Sequence, residues 1–124
     1  MNRENNDLGK NFPIQPKGLF KQLRKVLPKD TAITLDAGTL CLQATDALEY
    51  YNPPSLFTPL DFGLVGFSFA CGLGVKIAKP KKTVVSLMGD GGFGMTISEL
   101  STAVDYGINT ITTSFTTRRA WRSS

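Results

Sequence analysis

A doubly wound α/β domain, with a mainly parallel sheet and helices on both faces, is the fold this chain predicts, and three observations carry it. Segments of helical and strand character alternate along the sequence. The run TVVSLM, Thr83 to Met88, is the compact β-branched kind found in a parallel strand covered on both faces. Glycine loops follow two of the strands directly. A chain of 124 residues fits one such domain and buries roughly two-thirds of its unfolded surface, enough for one ordinary core.

The elements follow in order. Residues 1–15 are polar and Asn-rich. From Pro16, the apolar positions Leu19, Phe20, Leu23, Val26 and Leu27 recur at helical spacing while Lys17, Lys21, Arg24 and Lys25 take the other face, and Pro28 stops the helix. Ala32 to Asp36, AITLD, reads as a buried strand broken by Gly38. Thr39 to Tyr50 reads as a second helix, ended by Asn52-Pro53-Pro54. SLFTP is a short strand, and Gly63 to Lys79 a third helix rich in small residues that permit close approach of a backbone or ligand. After TVVSLM comes a helix with a capping box, Thr96 and Glu99, and an apolar face through Ile97, Leu100 and Val104. Asn109 to Phe115 is the last strand. Right-handed crossovers would then place Gly38 and the Gly89–Gly94 loop on one edge of the sheet, outside the carboxyl ends of the strands where such folds bind ligands.

Composition excludes several classes. The hydrophobic share of 41% and charged share of 19% are those of a soluble globular chain. Of the 14 basic groups, Arg118, Arg119 and Arg122 lie in the last seven residues, which leaves 11 against 10 acidic groups in residues 1–117. The net charge of +4 is therefore a basic tail and no phosphate-binding patch, and no nucleic-acid partner is expected. Cys41 and Cys71 form no C-x-x-C pair and the chain has no histidine, so zinc is not expected and two reduced thiols are. The polar N-terminus has no signal-peptide core, and the longest apolar run, Phe62 to Val75, is too short to span a bilayer. A cytoplasmic chain with no membrane partner is the expectation.

The chemistry sits in VVSLMGDGGFGMTISEL. Gly89, Gly91 and Gly94 satisfy G-x-G-x-x-G between a strand and a helix, the dinucleotide spacing. Asp90 argues against that ligand. A carboxylate about 4 Å from a phosphate charge costs roughly 4 kcal/mol per charge pair at an effective dielectric near 20. A cation between them removes the conflict, and Mg²⁺ is commonly held by one or two carboxylates together with substrate phosphates. A nicotinamide dinucleotide also wants an acid about 20 residues on for its ribose. Only Glu99 and Asp105 follow the loop, both too early.

KTVVSLM followed by GDGGFGMTISELSTAVDYGI resembles the cofactor-binding motif of thiamine diphosphate enzymes, in particular the acetolactate synthase and sulfoacetaldehyde acetyltransferase group. The resemblance extends through LDAG, Leu35 to Gly38, and TPLDFGLVGFSFACGLGVKIAKP, Thr58 to Pro80, and covers roughly residues 13–117. It implies a partial thiamine diphosphate-binding domain over residues 16–117, with 1–15 a polar N-terminal segment and 118–124 a basic tail. It implies thiamine diphosphate and Mg²⁺ as cofactors: Asp90 as the magnesium aspartate, Gly89, Gly91 and Gly92 in the diphosphate loop, Gly38 and Thr39 in an earlier loop reaching the same group, and Val65 as the apolar side chain beneath the cofactor or, equally, as ordinary core. It also implies decarboxylation or carboligation of 2-oxo acids or related aldehydes in a full-length relative, working as a homodimer or homotetramer.

Two departures stand against the family pattern. The family closes the motif with an asparagine pair whose second member ligates magnesium; here the matching pair is Thr116-Thr117, so Thr117 is the implied second ligand, shorter than an amide. An Asn-Asn pair encoded AAC AAC and read one base late gives Thr-Thr or something close to it, which would make RRAWRSS out-of-frame sequence and the fold incomplete at its C-terminal side. The activating glutamate of the family comes from another domain, and neither Glu4, Glu49 nor Glu99 lies in a segment resembling it. No catalytic residue is therefore assigned, and the isolated chain is not expected to turn over. The competing expectation is a noncatalytic fragment or a module that pairs with a full-length subunit.

Overall fold

The computed structural model describes residues 14–116. Four strands, β1 (Ala32–Leu35), β2 (Leu56–Phe57), β3 (Val84–Gly89) and β4 (Ile111–Phe115), form one sheet in the order β2-β1-β3-β4, every neighbouring pair parallel. Five helices join them: α1 (Pro16–Val26), α2 (Thr39–Ala47), α3 (Phe67–Ala78), α4 (Asp90–Thr96) and α5 (Glu99–Asp105).

Both faces of the sheet are covered, which is why β1 and β3 are buried without alternation. Ile33, Leu35, Val85 and Leu87 point to one face and pack with Phe20 of α1 and Cys41, Ala44 and Leu48 in and after α2. On the other face Met88 packs with Phe69 and Leu73 of α3 and with Phe93, Ala103 and Ile108. Between these helices and the strands lies a buried hydroxyl cluster. Thr34 Oγ1 stands 2.8 Å from both the Ser68 carbonyl and Ser86 Oγ, and Ser68 Oγ donates to the Thr34 carbonyl at 2.8 Å. Each hydroxyl has a partner, so the polar pocket carries no unpaired-group penalty.

Helix α1 keeps its predicted limits, with Pro16 in the first turn and Phe20 fully buried. Arg24 fastens its end by donating to the carbonyls of Leu27 at 3.0 Å, Glu49 at 3.3 Å and Pro28. Helix α2 ends at Ala47, three residues before the expected Tyr50, because Leu48 turns to extended backbone and drops into the core.

The half-buried Tyr50 phenol then folds back on the Ala44 carbonyl at 3.4 Å. Burial, with repulsion from Cys41 and partial relief from Arg24, pushes its pKa from 10.0 up to about 12. The folded state thus prefers the protonated phenol: that contribution is whole below pH 10.0 and drains away as pH rises toward about 12. In a chain carrying Tyr51→Phe and Tyr106→Phe, phenolate absorbance is expected to titrate near the upper value in the folded protein and near the lower one in denaturant.

Three further sequence expectations need correction. Helix α3 begins at Phe67, not Gly63, since Gly63 and Gly66 adopt positive φ (53° and 90°) and keep the preceding segment non-helical. The single helix expected after β3 is two, joined through Ile97 and Ser98, where the Leu100 and Ser101 amides make short-range bonds to the Ile97 and Ser98 carbonyls. The capping box is absent: Thr96 ends α4 with its hydroxyl buried and unpartnered, and Glu99 instead accepts from Thr102 Oγ1 at 2.9 Å. The polar β4 is one of the two edge strands among the described residues, opposite β2, with Ile111, Thr112 and Ser114 exposed. Cys41 and Cys71 are free thiols, burial pushing that of Cys71 up, and no described helix is long and apolar enough to cross a membrane.

Candidate functional site

The strand order reverses at one place. From β1 the chain moves outward to β2, then returns to β3 on the other side of β1. In an open parallel sheet the crevice outside the strand ends at such a reversal is where ligands bind. Its two walls are the segments leaving β1, Asp36 to Thr39, and β3, Gly89 to Gly92. The strands end nearly in step, Leu35 opposite Leu87, with the Asp36 amide bonded to the Leu87 carbonyl at 3.1 Å.

Because every connection returns antiparallel to the strands, α2, α3 and α4 all start at this edge. Each N-terminus presents unpaired amides and the positive end of a helix dipole. They are used differently. The start of α3 is closed from within: Asp36, 3% exposed, accepts the Gly66 amide at 3.1 Å and the Phe67 amide at 3.0 Å. The other two receive no cap from elsewhere in the chain. Gly38 precedes α2 with φ 111° and offers no side chain to cap it, and Thr39 is exposed. Gly89 precedes α4, and Asp90 and Gly91 are exposed in its first turn, where Asp90 Oδ1 accepts the Gly91 amide at 2.9 Å.

The glycines divide by what they face. A Cβ at Gly91 would meet nothing within 4 Å, so the chain itself does not demand glycine there and the space is open outward. Gly92 is buried, and a Cβ would overlap the Asp36 carboxylate, lying 2.9 Å from its Cγ. Gly89 has ordinary clearance, its nearest neighbour being the Phe115 carbonyl at 4.0 Å.

Gly38, Thr39, Gly89, Asp90, Gly91 and Gly92 are thus brought to one edge. Val65 precedes Gly66, whose Cα side packs against Met95 and Thr96 of α4. Val65 is 47% exposed, so the reading of it as ordinary core does not hold. Thr117 lies outside the described residues. Among those described, no three of His, Cys, Asp and Glu gather in a metal cluster, and Asp90 stands as a single exposed carboxylate. Such a donor set suits an oxygen-seeking cation completed by phosphate and water, and the amides at the starts of α2 and α4 suit the phosphate. Asp36 was missed from sequence. Its one signal was an acid closing a buried apolar strand.

The family model for the thiamine pyrophosphate enzyme, C-terminal TPP binding domain, matches residues 36–116, well over half the chain. This chain belongs to that family. The matched span of the thiamine pyrophosphate enzyme domain opens on Asp36 and includes both walls of the crevice. Among its relatives are a sulfoacetaldehyde acetyltransferase of Castellaniella defragrans, 33% identical over 77% of this chain and 16% of the relative, and a probable acetolactate synthase large subunit of Methanococcus aeolicus, 33% identical over 86% and 19%. The chain therefore spans less than a fifth of the length of these relatives. The fold matches that of the Rhodococcus jostii RHA1 thiamine diphosphate-dependent 4-hydroxybenzoylformate decarboxylase, with a TM-score of 0.76 at 24% identity, over 83% of this chain and 19% of that one.

Proposed function

We propose that this thiamine pyrophosphate enzyme domain binds thiamine diphosphate with Mg²⁺ in the crevice between β1 and β3. The observation that carries the reading is the unequal use of three helix N-termini at one sheet edge: α3 is capped by the buried Asp36 from β1, while α2 has no side-chain cap beside Gly38 and α4 has only its own exposed Asp90, bonded to the Gly91 amide. Amides of the Gly38–Thr39 and Gly91 segments receive the diphosphate. Asp90, with Thr117 as the second ligand, holds the metal that lets a carboxylate sit beside phosphate. Val65 supports the organic part from below. When bound, the cofactor supplies a stabilised carbanion for decarboxylation or carboligation of a 2-oxo acid or related aldehyde. This chain's own residues bind and orient; they abstract no proton, so turnover requires a glutamate from elsewhere.

Leu60, Phe62 and Leu64 in the segment around Val65, and Met95, Ile97 and Leu100 in α4, in the α4–α5 turn and in α5, are exposed large apolar groups. They favour assembly with a further domain or subunit, as in a homodimer, and also the second reading, a noncatalytic module that pairs with a full-length subunit in the cytoplasm. Calorimetric titration with thiamine diphosphate, with and without Mg²⁺ and with NAD as control, separates the readings. Heat only with thiamine diphosphate plus metal is expected. Silence in every titration, with association on mixing with a full-length relative, would replace binding by the second reading. On the first, Thr117→Asn is expected to tighten Mg²⁺ retention severalfold, measured by metal content after desalting.

A further inference from the structure

We infer that Asp36 is the positioning residue of this site: it holds the Gly89–Gly92 loop in place through Gly92 and touches no cofactor itself. The inference rests on the cofactor reading for its consequence, but its geometry stands without it. The carboxylate is buried at the end of β1, and its two oxygens accept one amide each from Gly66 and Phe67. These are charge-assisted bonds at the start of a 12-residue helix, and the helix dipole favours the charge further. No basic side chain pairs with it among the described residues, so amides alone compensate it.

With both oxygens anchored, the carboxylate cannot move aside. It occupies the volume that a side chain at position 92 would need. Gly92 is therefore glycine because of Asp36 and not because of a ligand, whereas Gly91, one residue earlier, faces open space. The same contact fixes the roll of α4 against the sheet, and that roll sets how the Asp90 carboxylate and the Gly91 backbone face the crevice. One acid thus ties the end of β1, the start of α3 and the first turn of α4.

A double-mutant cycle on the full chain tests this, with thiamine diphosphate affinity in Mg²⁺ and amide hydrogen exchange of residues 90–93 as readouts at a temperature where circular dichroism shows each variant folded. Gly92→Ala is expected to weaken affinity at least about tenfold beside Asp36 but less than about twofold in an Asp36→Ala background, a non-additivity that independent sites do not show. Asp36→Asn, which keeps the volume, is expected to leave Gly92→Ala costly and to speed exchange at residues 90–93 while α1 and α2 keep their protection. If Asp36→Ala does not fold, this second variant decides. A Gly92→Ala penalty equal in both backgrounds, or loop exchange unchanged in Asp36→Asn, would overturn the inference. Should the wild-type chain bind no thiamine diphosphate, the cofactor reading fails alone, and the exchange pattern still judges Asp36.

Discussion

Asp90→Asn is expected to reverse the effect of magnesium on cofactor uptake. In Mg²⁺ the variant should bind thiamine diphosphate about 100-fold more weakly than wild type, a loss of about 2.7 kcal/mol. Without metal it should bind as well as wild type or better. Both signs come from one charge. Asp90 is exposed in the first turn of α4 and has no cationic partner among the described residues, so beside a diphosphate it repels unless a cation lies between. The amide keeps the shape and can still accept the Gly91 amide proton, so the loop is not remodelled. It removes the repulsion in metal-free buffer and the charge that retains Mg²⁺ when metal is present. Calorimetric titrations of both chains in chelator and in excess Mg²⁺ give the four affinities. Parallel behaviour of the two proteins in both buffers would remove Asp90 from the metal site.

Much of this architecture was legible because its causes are local. TVVSLM and AITL announce strands buried on both faces, since a parallel strand under helices has no solvent side to mark with polar residues. The α1 stripe gives its one buried face, and the glycine-bounded Asp90 marks the turn from β3 into α4 at the edge where we propose the cofactor binds. What stayed hidden depends on partners far along the chain. The start of α3 is set by a carboxylate 30 residues earlier, and a bond from a backbone amide leaves no mark on the residue that donates it. Gly91 and Gly92 look alike in sequence and differ only in what stands opposite, solvent for one and Asp36 for the other. Thr96 and Glu99 have the spacing of a capping box, yet the chain turns through Ile97 and Ser98 and the hydroxyl ends up buried. Val65 belongs to an apolar segment that reads as core, but the described chain leaves it half exposed.

Gly72→Ala should destabilise the domain, although helix propensity alone predicts a gain of about 1 kcal/mol for that change. Gly72 is buried in α3 where the helix crosses β1 and β3. A Cβ there would overlap Ser86 Oγ and come within 3.3 Å of Thr34 Oγ1. Ser86 cannot yield cheaply, because its hydroxyl is enclosed with Thr34 and Ser68 in the buried cluster. Overpacking of this kind typically costs about 1–3 kcal/mol, which outweighs the propensity gain. Relief of the clash by lifting α3 would also carry the Gly66 and Phe67 amides away from Asp36, so the site loosens with the core. Ser86→Ala supplies the control. It removes the overlapping oxygen and leaves the Cβ atoms of positions 72 and 86 at 3.5 Å, an ordinary contact, while Thr34 Oγ1 keeps the Ser68 carbonyl as partner. Alone it should cost about 1 kcal/mol for the lost hydrogen bond. Combined with Gly72→Ala it should restore most of the stability in urea unfolding. A double variant no more stable than Gly72→Ala by itself would mean that helix and strand are not packed through this glycine.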